Sequence, residues 1–472
     1  MNQNDLPNTL ALAFERQRAA AHAQPCPDWA VRADRLRRLQ QLLQTHETAI
    51  AQAIDADFGG RPAIETELAE IFPSLDEIKT ALRHGKAWMK PRRAPVSKWF
   101  QPARAQVLPT PLGVVGIIVP WNYPLFLAVA PLAAALAAGN GVMLKLSELT
   151  PGFAALLQRL LGQAFAADEV CVITGGPDVA AQFSALPFDH LLFTGSTPVG
   201  RKVMAAAAQH LTPVTLELGG KSPAVITPGY PLAHAVHRIL AGKLMNAGQT
   251  CIAPDYVLLP RALVPGFVDA ARQQVRKCYP TGLADADFCS IVNSHHHARL
   301  VQNLEEAVER GIRVECLFDG PARDDAGHRL APALLIDPPA DTGVMRDEIF
   351  GPLLPLVPYD TLDEAMQFIK ARAHPLALYW FDHDCARTDH ALRHLPAGGV
   401  TVNDTLLHVT QHSLPFGGVG ASGMGAYHGQ WGFDTFSKLK PVFRQSRMNG
   451  MALFLPPYTP LMRRLLGLMK RF

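Results

Sequence analysis

The sequence predicts an α/β protein of two units and a small extended arm, the first unit a Rossmann-like, doubly wound parallel sheet. Three observations predict it. From Gly113 onward, short apolar runs alternate with helical stretches, as parallel βαβ units require. After Gly220 a second alternation of the same kind begins. At 472 residues, 48% of them hydrophobic, the chain exceeds the size at which one core usually divides.

In chain order, residues 28–58 and 63–89 carry apolar positions at spacings of three and four with charges between, which predicts amphipathic helices covering the first unit. Residues 91–111 are proline-punctuated and basic, the pattern of an extended excursion. The first unit then reads strand "GVVGIIVP", helix 125–138, strand "GVMLKL", helix 152–165, strands "EVCVITGG" and "HLLFTGS", helix 199–210, strand "VTLEL". The second reads helix 233–245, strand "DYVLLP", helices near 264–277 and 297–310, then strands "RVECLF", "LYWF" and "GGVTVND". The 40 residues from Ala105 to Leu144 carry no charge, but five prolines interrupt them, so they read as buried strand, turn and helix and not as a membrane span.

The bulk numbers narrow the function. Lys and Arg total 44 against 41 Asp and Glu, a net charge of +3, with no long basic run suited to nucleic acid. The seven cysteines are scattered without a C-x-x-C, which indicates neither a disulfide framework nor a zinc site and suits a reducing cytoplasm. The opening "MNQNDLPNTL" lacks the pattern of a secretory signal. The triple His295–His297 reads as a solvated helix start, and no metal is expected.

Several motifs could carry chemistry, each with a plainer reading beside it. Cys251, in "NAGQTCIAP", sits in a polar segment where a nucleophile could stand, yet cysteines are usually small buried hydrophobes. Glu217 ends a strand just before Gly219 and Gly220, either as a general base or as an ordinary exposed carboxylate. Asn122, between prolines in "VPWNYP", could hold its amide as an oxyanion donor or serve only as a turn residue. "GSTPVG", from Gly195 to Gly200, is a glycine turn suited to bringing a helix N-terminus near a pyrophosphate, while Arg201 and Lys202 exclude a Walker A loop. The spacing of Gly418, Gly420 and Gly423 imitates a dinucleotide fingerprint without its βαβ context, and reads as a structural turn.

Together, "PWNYP", "FTGSTPVG", "LELGGKSP", "GQTC", "EIFGP" and "LPFGGVGASGMG", in this order, resemble the aldehyde dehydrogenase superfamily over about residues 30–440. "LTPVTLELGGKSP", "APDY" and "GMGAYHG" are similar to its class 3 branch, the bacterial coniferyl-aldehyde dehydrogenases above all. The resemblance implies an NAD-dependent enzyme, with NADP as the second choice, that oxidises an aldehyde to its acid through a cysteine thiohemiacetal and thioester. It implies Cys251 as nucleophile, Glu217 as general base, and the Asn122 amide with the Cys251 N–H as oxyanion hole. It implies cofactor contacts from Trp121, Lys145, Glu148, Gly195, Ser196, Gly200, Leu218, Gly219, Glu348 and Phe350. Leu146 departs from the proline usual after that lysine.

On this resemblance, residues 1–90 and 112–218 form the NAD-binding domain and 219–425 the catalytic domain. Residues 91–111 and 426–445 are bridging elements, and 446–472 a tail. A homodimer and a cinnamyl-type aldehyde follow, with medium- or long-chain aliphatic aldehydes as the alternative. A CoA-acylating enzyme typically lacks the base glutamate, and a cysteine thioesterase or amidase would leave the βαβ half unexplained. In the tail, Leu461, Leu465, Leu468 and Phe472 form one helical stripe, with Met462, Leu466 and Met469 beside it and Arg463, Arg464, Lys470 and Arg471 opposite. That face either packs on the enzyme or lies on an anionic membrane surface.

Overall fold

The structure, a computed structural model, describes residues 6–471. Its first sheet has the spatial order Gly423–Met424, Val214–Glu217, His190–Thr194, Val114–Ile118, Gly141–Lys145, Val170–Ile173. The last five are parallel, and Gly423–Met424 runs antiparallel on Val214–Glu217. From Val114–Ile118 the chain winds outward in one direction, then returns to build the other half from His190–Thr194. The order therefore reverses between those two strands, where open α/β sheets take their ligands.

Both faces of this sheet are covered, which is why its strands read as continuous apolar runs. On one side lies the helix Phe126–Ala138, buried around nearly its whole circumference and ended by Gly139 at φ +96°. Behind it stand Trp29–Phe58, capped by Asp28, and Phe72–Trp88. The other side is closed by Leu10 and Phe14 of an N-terminal helix, Leu6–Ala23, that the sequence pattern did not reveal.

The second sheet has the order Arg313–Cys316, Ala333–Ile336, Leu353–Tyr359, Tyr256–Pro260, Pro223–Ile226, Ala377–Phe381, Gly399–Val402, antiparallel only at its first pair. Three of these strands, Pro223–Ile226, Ala333–Ile336 and Leu353–Tyr359, were not read from sequence. Leu353–Tyr359 lies mid-sheet although it carries Pro355 and Pro358, each of which gives up a backbone donor.

Arg92–Ala94, Arg104–Pro111 and Ser437–Arg444 form a separate antiparallel sheet. The domain limits drawn from sequence need adjustment here. Gly423–Met424, assigned to the second unit, pairs with Glu217 and Leu216 of the first sheet. The helix Gly429–Thr435, assigned to the bridging elements, packs on Phe126–Ala138 and Phe72–Trp88. The tail forms the helix Pro460–Met469, and Phe472 lies outside the described residues. Among the described residues, no helix is long and apolar enough to cross a membrane.

Candidate active site

Asn122 and Cys251, from two different turns, and Glu217, from the end of a strand, line one cleft of about 200 Å³. Asn122 follows Val114–Ile118, and Gly195 and Ser196 follow His190–Thr194, so the cleft opens where the first sheet reverses its order. Glu217 ends the adjacent strand, while Cys251 comes from the loop leading to Tyr256–Pro260 of the second sheet. Trp121, Gly219, Glu348 and Phe350 complete the foreseen lining.

The Cys251 loop is held by its own polar side chains. Asn246 and Ala247 both adopt left-handed φ, +53° and +49°, a strained pair that the surroundings must fix. The Gln249 side chain donates to the Asn246 and Ser290 carbonyls and accepts from the Val292 N–H. The loop is also tied to Asn122, whose side-chain amide donates to the Gln249 carbonyl at 3.1 Å, leaving a second N–H on the same nitrogen. The Asn122 carbonyl accepts from Asn246 at 2.9 Å and Arg61 at 3.1 Å. Arg61 is in turn paired, fully buried, with Glu70, whose carboxylate accepts the N–H groups of Leu125 and Phe126 and so caps the helix that follows Asn122.

Burial dominates the electrostatics. The Cys251 thiol is pushed up to about 12 by desolvation, with the carboxylates of Glu348 and Glu217 adding to it. Desolvation also raises the Glu217 carboxyl well above its ordinary value, and neither of its oxygens has a hydrogen-bond partner among the described residues. Glu348 is raised to about 8 by burial and by Asp255, against the opposing pull of the Gly220 N–H and Lys221. A buried, unpartnered carboxyl facing a cleft is poised to exchange a proton with something that enters.

The structure brings together six of the ten foreseen cofactor residues: Trp121, Gly195, Ser196, Gly219, Glu348 and Phe350. A side chain at Gly219 would strike the Glu348 carboxylate at 2.0 Å, which accounts for the glycine. Lys145 and Glu148 lie outside that cleft at the carboxyl end of the neighbouring strand, ion-paired at 3.0 Å. Gly200 and Leu218 pack on each other behind it, where a Cβ on Gly200 would meet Leu218 at 2.7 Å. Leu146, the departure from the usual proline, donates its N–H to the Ile173 carbonyl at 3.0 Å, a bond proline could not make.

Two lining residues were missed. His296 and Arg299, one helical turn apart on Ser294–Glu309, face the cleft, and His296 lies 5.1 Å from the Trp121 ring. The solvated reading of the histidine triple is therefore corrected: His295 is exposed, His296 half-buried at the cleft, and His297 buried beneath Arg329. The i, i+3 spacing of His296 and Arg299 was the available signal.

A second cavity of about 360 Å³ opens on the other side of Cys251. Its walls include Phe126, Leu127, Met245, Ile252, Leu406 and Tyr427, and Cys251 is the only one of the described residues that lines both spaces. One sulfur is thus offered to a polar-ended cleft and to an apolar funnel at once.

Residues 7–442 match the Aldehyde dehydrogenase family. The chain belongs to that family. It is 51% identical to a probable coniferyl aldehyde dehydrogenase of Pseudomonas aeruginosa, over 96% of this chain and 94% of that one. It is 43% identical to a coniferyl aldehyde dehydrogenase of a Pseudomonas species, over 93% and 91%. A solved structure described as the substrate-bound state of Staphylococcus aureus AldH superposes with a TM-score of 0.92 at 37% identity, covering 97% of this chain and 99% of that one. This aldehyde dehydrogenase uses NAD(P). The cleft suits the nicotinamide end of such a cofactor, because Gly195 and Gly219 leave the backbone bare, Trp121 and Phe350 supply rings, and Glu217 stands unpartnered.

Proposed function

We propose that this NAD(P)-dependent aldehyde dehydrogenase oxidises a cinnamyl-type aldehyde, coniferaldehyde to ferulate, with Cys251 as nucleophile and Glu217 as general base. The observation that carries the assignment is that Cys251, alone among the described residues, borders both cavities. An aldehyde in the funnel can reach the sulfur from one side while the cleft holds the cofactor on the other.

The Cys251 thiolate adds to the carbonyl carbon, and the oxygen that gains charge is met by the Asn122 amide and the Cys251 N–H. Trp121, Gly195, Ser196, Gly219, Glu348 and Phe350 would hold NAD(P), with Lys145 and Glu148 serving its adenosine ribose, and the bound cofactor would accept the hydride that leaves this carbon. Cys251 then carries the acyl group as a thioester. Glu217 takes a proton from water, the hydroxide adds to the thioester carbon, and the C–S bond breaks to release the acid and free Cys251.

The funnel supports the cinnamyl reading over the aliphatic one. Its walls are apolar, but its outer end, where Leu68, Phe72 and Leu407 are exposed, also bears Asp76, His412, Arg238 and Asp404. An aldehyde with a flat apolar body and a distal hydroxyl satisfies both parts. The rim residues pair with one another, Arg238 with Asp404 and His412 with Asp76, and offer a hydroxyl further hydrogen bonds that an alkyl chain could not use. The test is a kcat/KM panel of coniferaldehyde, benzaldehyde and hexanal with NAD and with NADP. Coniferaldehyde is expected to lead, and NAD to exceed NADP, because the Glu148 carboxylate would repel a 2′-phosphate. Hexanal at or above coniferaldehyde would transfer the assignment to aliphatic aldehydes.

The same reading makes the working enzyme a cytoplasmic homodimer, its tail helix either packed on the enzyme or in peripheral contact with the inner membrane face. Its support is the seven unpaired cysteines and the open outer edges of the strands Ser437–Arg444 and Gly399–Val402.

A further inference from the structure

The polar side chains of the funnel differ in how far their hydrogen bonds are already made. Tyr123 and Thr250, next to Cys251, bond to each other at 2.7 Å. The Thr405 and Thr410 hydroxyls donate to the carbonyls of Arg238 and Leu407. His412 is held between Asp76 and Glu77. Arg238 is the exception. Its Nε is shielded from water and has no hydrogen-bond partner among the described residues. Its guanidinium reaches Asp404 at only 3.6 Å, beyond ordinary hydrogen-bond length.

The fold sets this pair at the funnel's outer end. Arg238, Ala241, Gly242 and Met245 follow one face of the helix Leu232–Leu244 and the turn after it, and all four line the funnel. Met245 opens the turn that leads to Cys251, and seven residues of helical rise place Arg238 about 10 Å from it along the axis. That separation is of the order of one aromatic ring with its propenal arm. Asp404 belongs to a turn in which Asn403 and Leu406 take left-handed φ, +60° and +63°. The Asn403 side chain holds the turn by accepting from the Asp382 N–H and donating to the Asp382 carbonyl. The Thr405 hydroxyl fastens the turn to the Arg238 carbonyl, and a Cβ at Gly242 would strike that hydroxyl at 2.4 Å. Asp404 Oδ1 accepts the Thr405 N–H at 2.8 Å, while Oδ2 is the atom nearest Arg238. A fixed acceptor and an unused fork of donors thus stand side by side.

We propose that Arg238, with Asp404, reads the ring hydroxyl of the aldehyde and so sets specificity for para-hydroxylated cinnamyl aldehydes over unsubstituted ones. The proposal rests on the cinnamyl reading above and narrows its polar rim to one pair. The phenolic oxygen accepts from the Arg238 guanidinium, and the phenolic hydrogen is donated to Asp404 Oδ2, so both halves of the hydroxyl are used. A methyl ether at the same position can only accept. A bare ring does neither, and leaves the arginine as it stands without substrate.

The test is kcat/KM with NAD for 4-hydroxycinnamaldehyde, 4-methoxycinnamaldehyde and cinnamaldehyde, in the wild type, in Arg238→Met, which keeps an apolar stem of similar length, and in Arg238→Lys. The wild type should favour the hydroxylated aldehyde, then the methyl ether, then the bare ring. Arg238→Met should lower kcat/KM for 4-hydroxycinnamaldehyde about tenfold more than for cinnamaldehyde, chiefly through KM, and Arg238→Lys should fall between. Each enzyme is compared with itself across substrates, so a loss of folded protein or of Cys251 chemistry cancels in the ratio. Equal losses on the two aldehydes in Arg238→Met overturn the proposal, as does a wild type with no preference for the hydroxyl. A wild type that favours hexanal over every ring aldehyde is a separate failure. It removes the cinnamyl reading, while the ratio between hydroxylated and bare rings still decides whether Arg238 reads the hydroxyl.

Discussion

The cleft and the funnel that meet at Cys251 are supplied by the chain in different ways. The cleft is furnished mostly by four short segments within 120–122, 194–196, 217–219 and 348–350, most of them at the carboxyl ends of strands, with Cys251, His296 and Arg299 added to them. The funnel collects single side chains from segments as distant as 68–76, 123–127, 238–252 and 404–427, mostly from helices and long loops. A turn that brings backbone to a ligand is confined to few residue types, such as Gly219 beneath Glu348. A wall that only excludes water accepts many apolar side chains of suitable volume. The chemistry of the enzyme is accordingly local in sequence and its selectivity is dispersed.

Removing the shared residue should produce the largest effect. Cys251→Ala is expected to abolish NADH formation altogether. Glu217→Gln is expected to separate the cleft's two duties, giving one burst of NADH per subunit and then a steady rate lowered by about 10²–10⁴. Rapid-mixing absorbance at 340 nm reads both phases. Normal steady turnover in Glu217→Gln would mean that another residue activates water. The pH dependence has a definite sign: thiol and carboxyl must both lose a proton to act, and burial raises both. The rate should therefore climb as pH rises, and Glu217→Gln should remove the part of that climb that comes from the carboxyl while leaving the part that comes from the Cys251 thiol.

A change confined to the funnel should be smaller and should leave the cleft untouched. Phe126 lines the funnel and is half-buried, 5.7 Å from the His428 ring. Phe126→Ala removes an aromatic wall, for which a loss of about tenfold in kcat/KM for coniferaldehyde is expected. KM for NAD and the pH profile should not move. If KM for NAD rises in parallel, the two cavities are mechanically coupled and the division drawn here fails.

The same contrast explains what could be read from the sequence. Cys251, Glu217 and Asn122 were legible because their neighbours are glycines and prolines in motif order, and the structure gathers them around one cleft. Arg61 and Glu70 were not, since a buried pair formed between two helical segments leaves no sequence pattern of its own. The strand Leu353–Tyr359 was hidden by Pro355 and Pro358, residues that ordinarily mark an edge or a loop. The alanine-rich helix Leu6–Ala23 shows only a weak apolar stripe, and it is fixed by Leu10 and Phe14 reaching the first sheet. Tyr427 and Phe416, on the funnel wall, lie in a stretch whose glycines drew attention to the turn and away from the rings beside it.

The smallest expected effect concerns the funnel's outer wall. His412 lies between Asp76 at 2.7 Å and Glu77 at 2.5 Å, tying the loop before Gly429–Thr435 to the helix Phe72–Trp88. Burial alone would lower the His412 pKa, but hydrogen bonding and charge from Glu77 and Asp76 more than reverse this, so it is raised above 6.5. Burial alone would raise Glu77, but the hydrogen bond and charge of His412 and the Gly429 N–H outweigh it, so it is lowered below 4.5. His428, packed alongside, is pushed down to about 4 by burial and stays neutral at working pH. The stability contributed by His412 is complete below about 6.5 and is lost as pH rises through its raised value. That contributed by Glu77 is complete above about 4.5 and is lost as pH falls through its lowered value. The pair is therefore at full strength between about pH 4.5 and 6.5. Glu77→Gln should lower Tm by a few degrees near pH 6 and by clearly less near pH 9, measured by circular dichroism at both. A Tm difference that is the same at both pH values would show that Glu77 acts through the Gly429 N–H alone, leaving the funnel wall insensitive to pH.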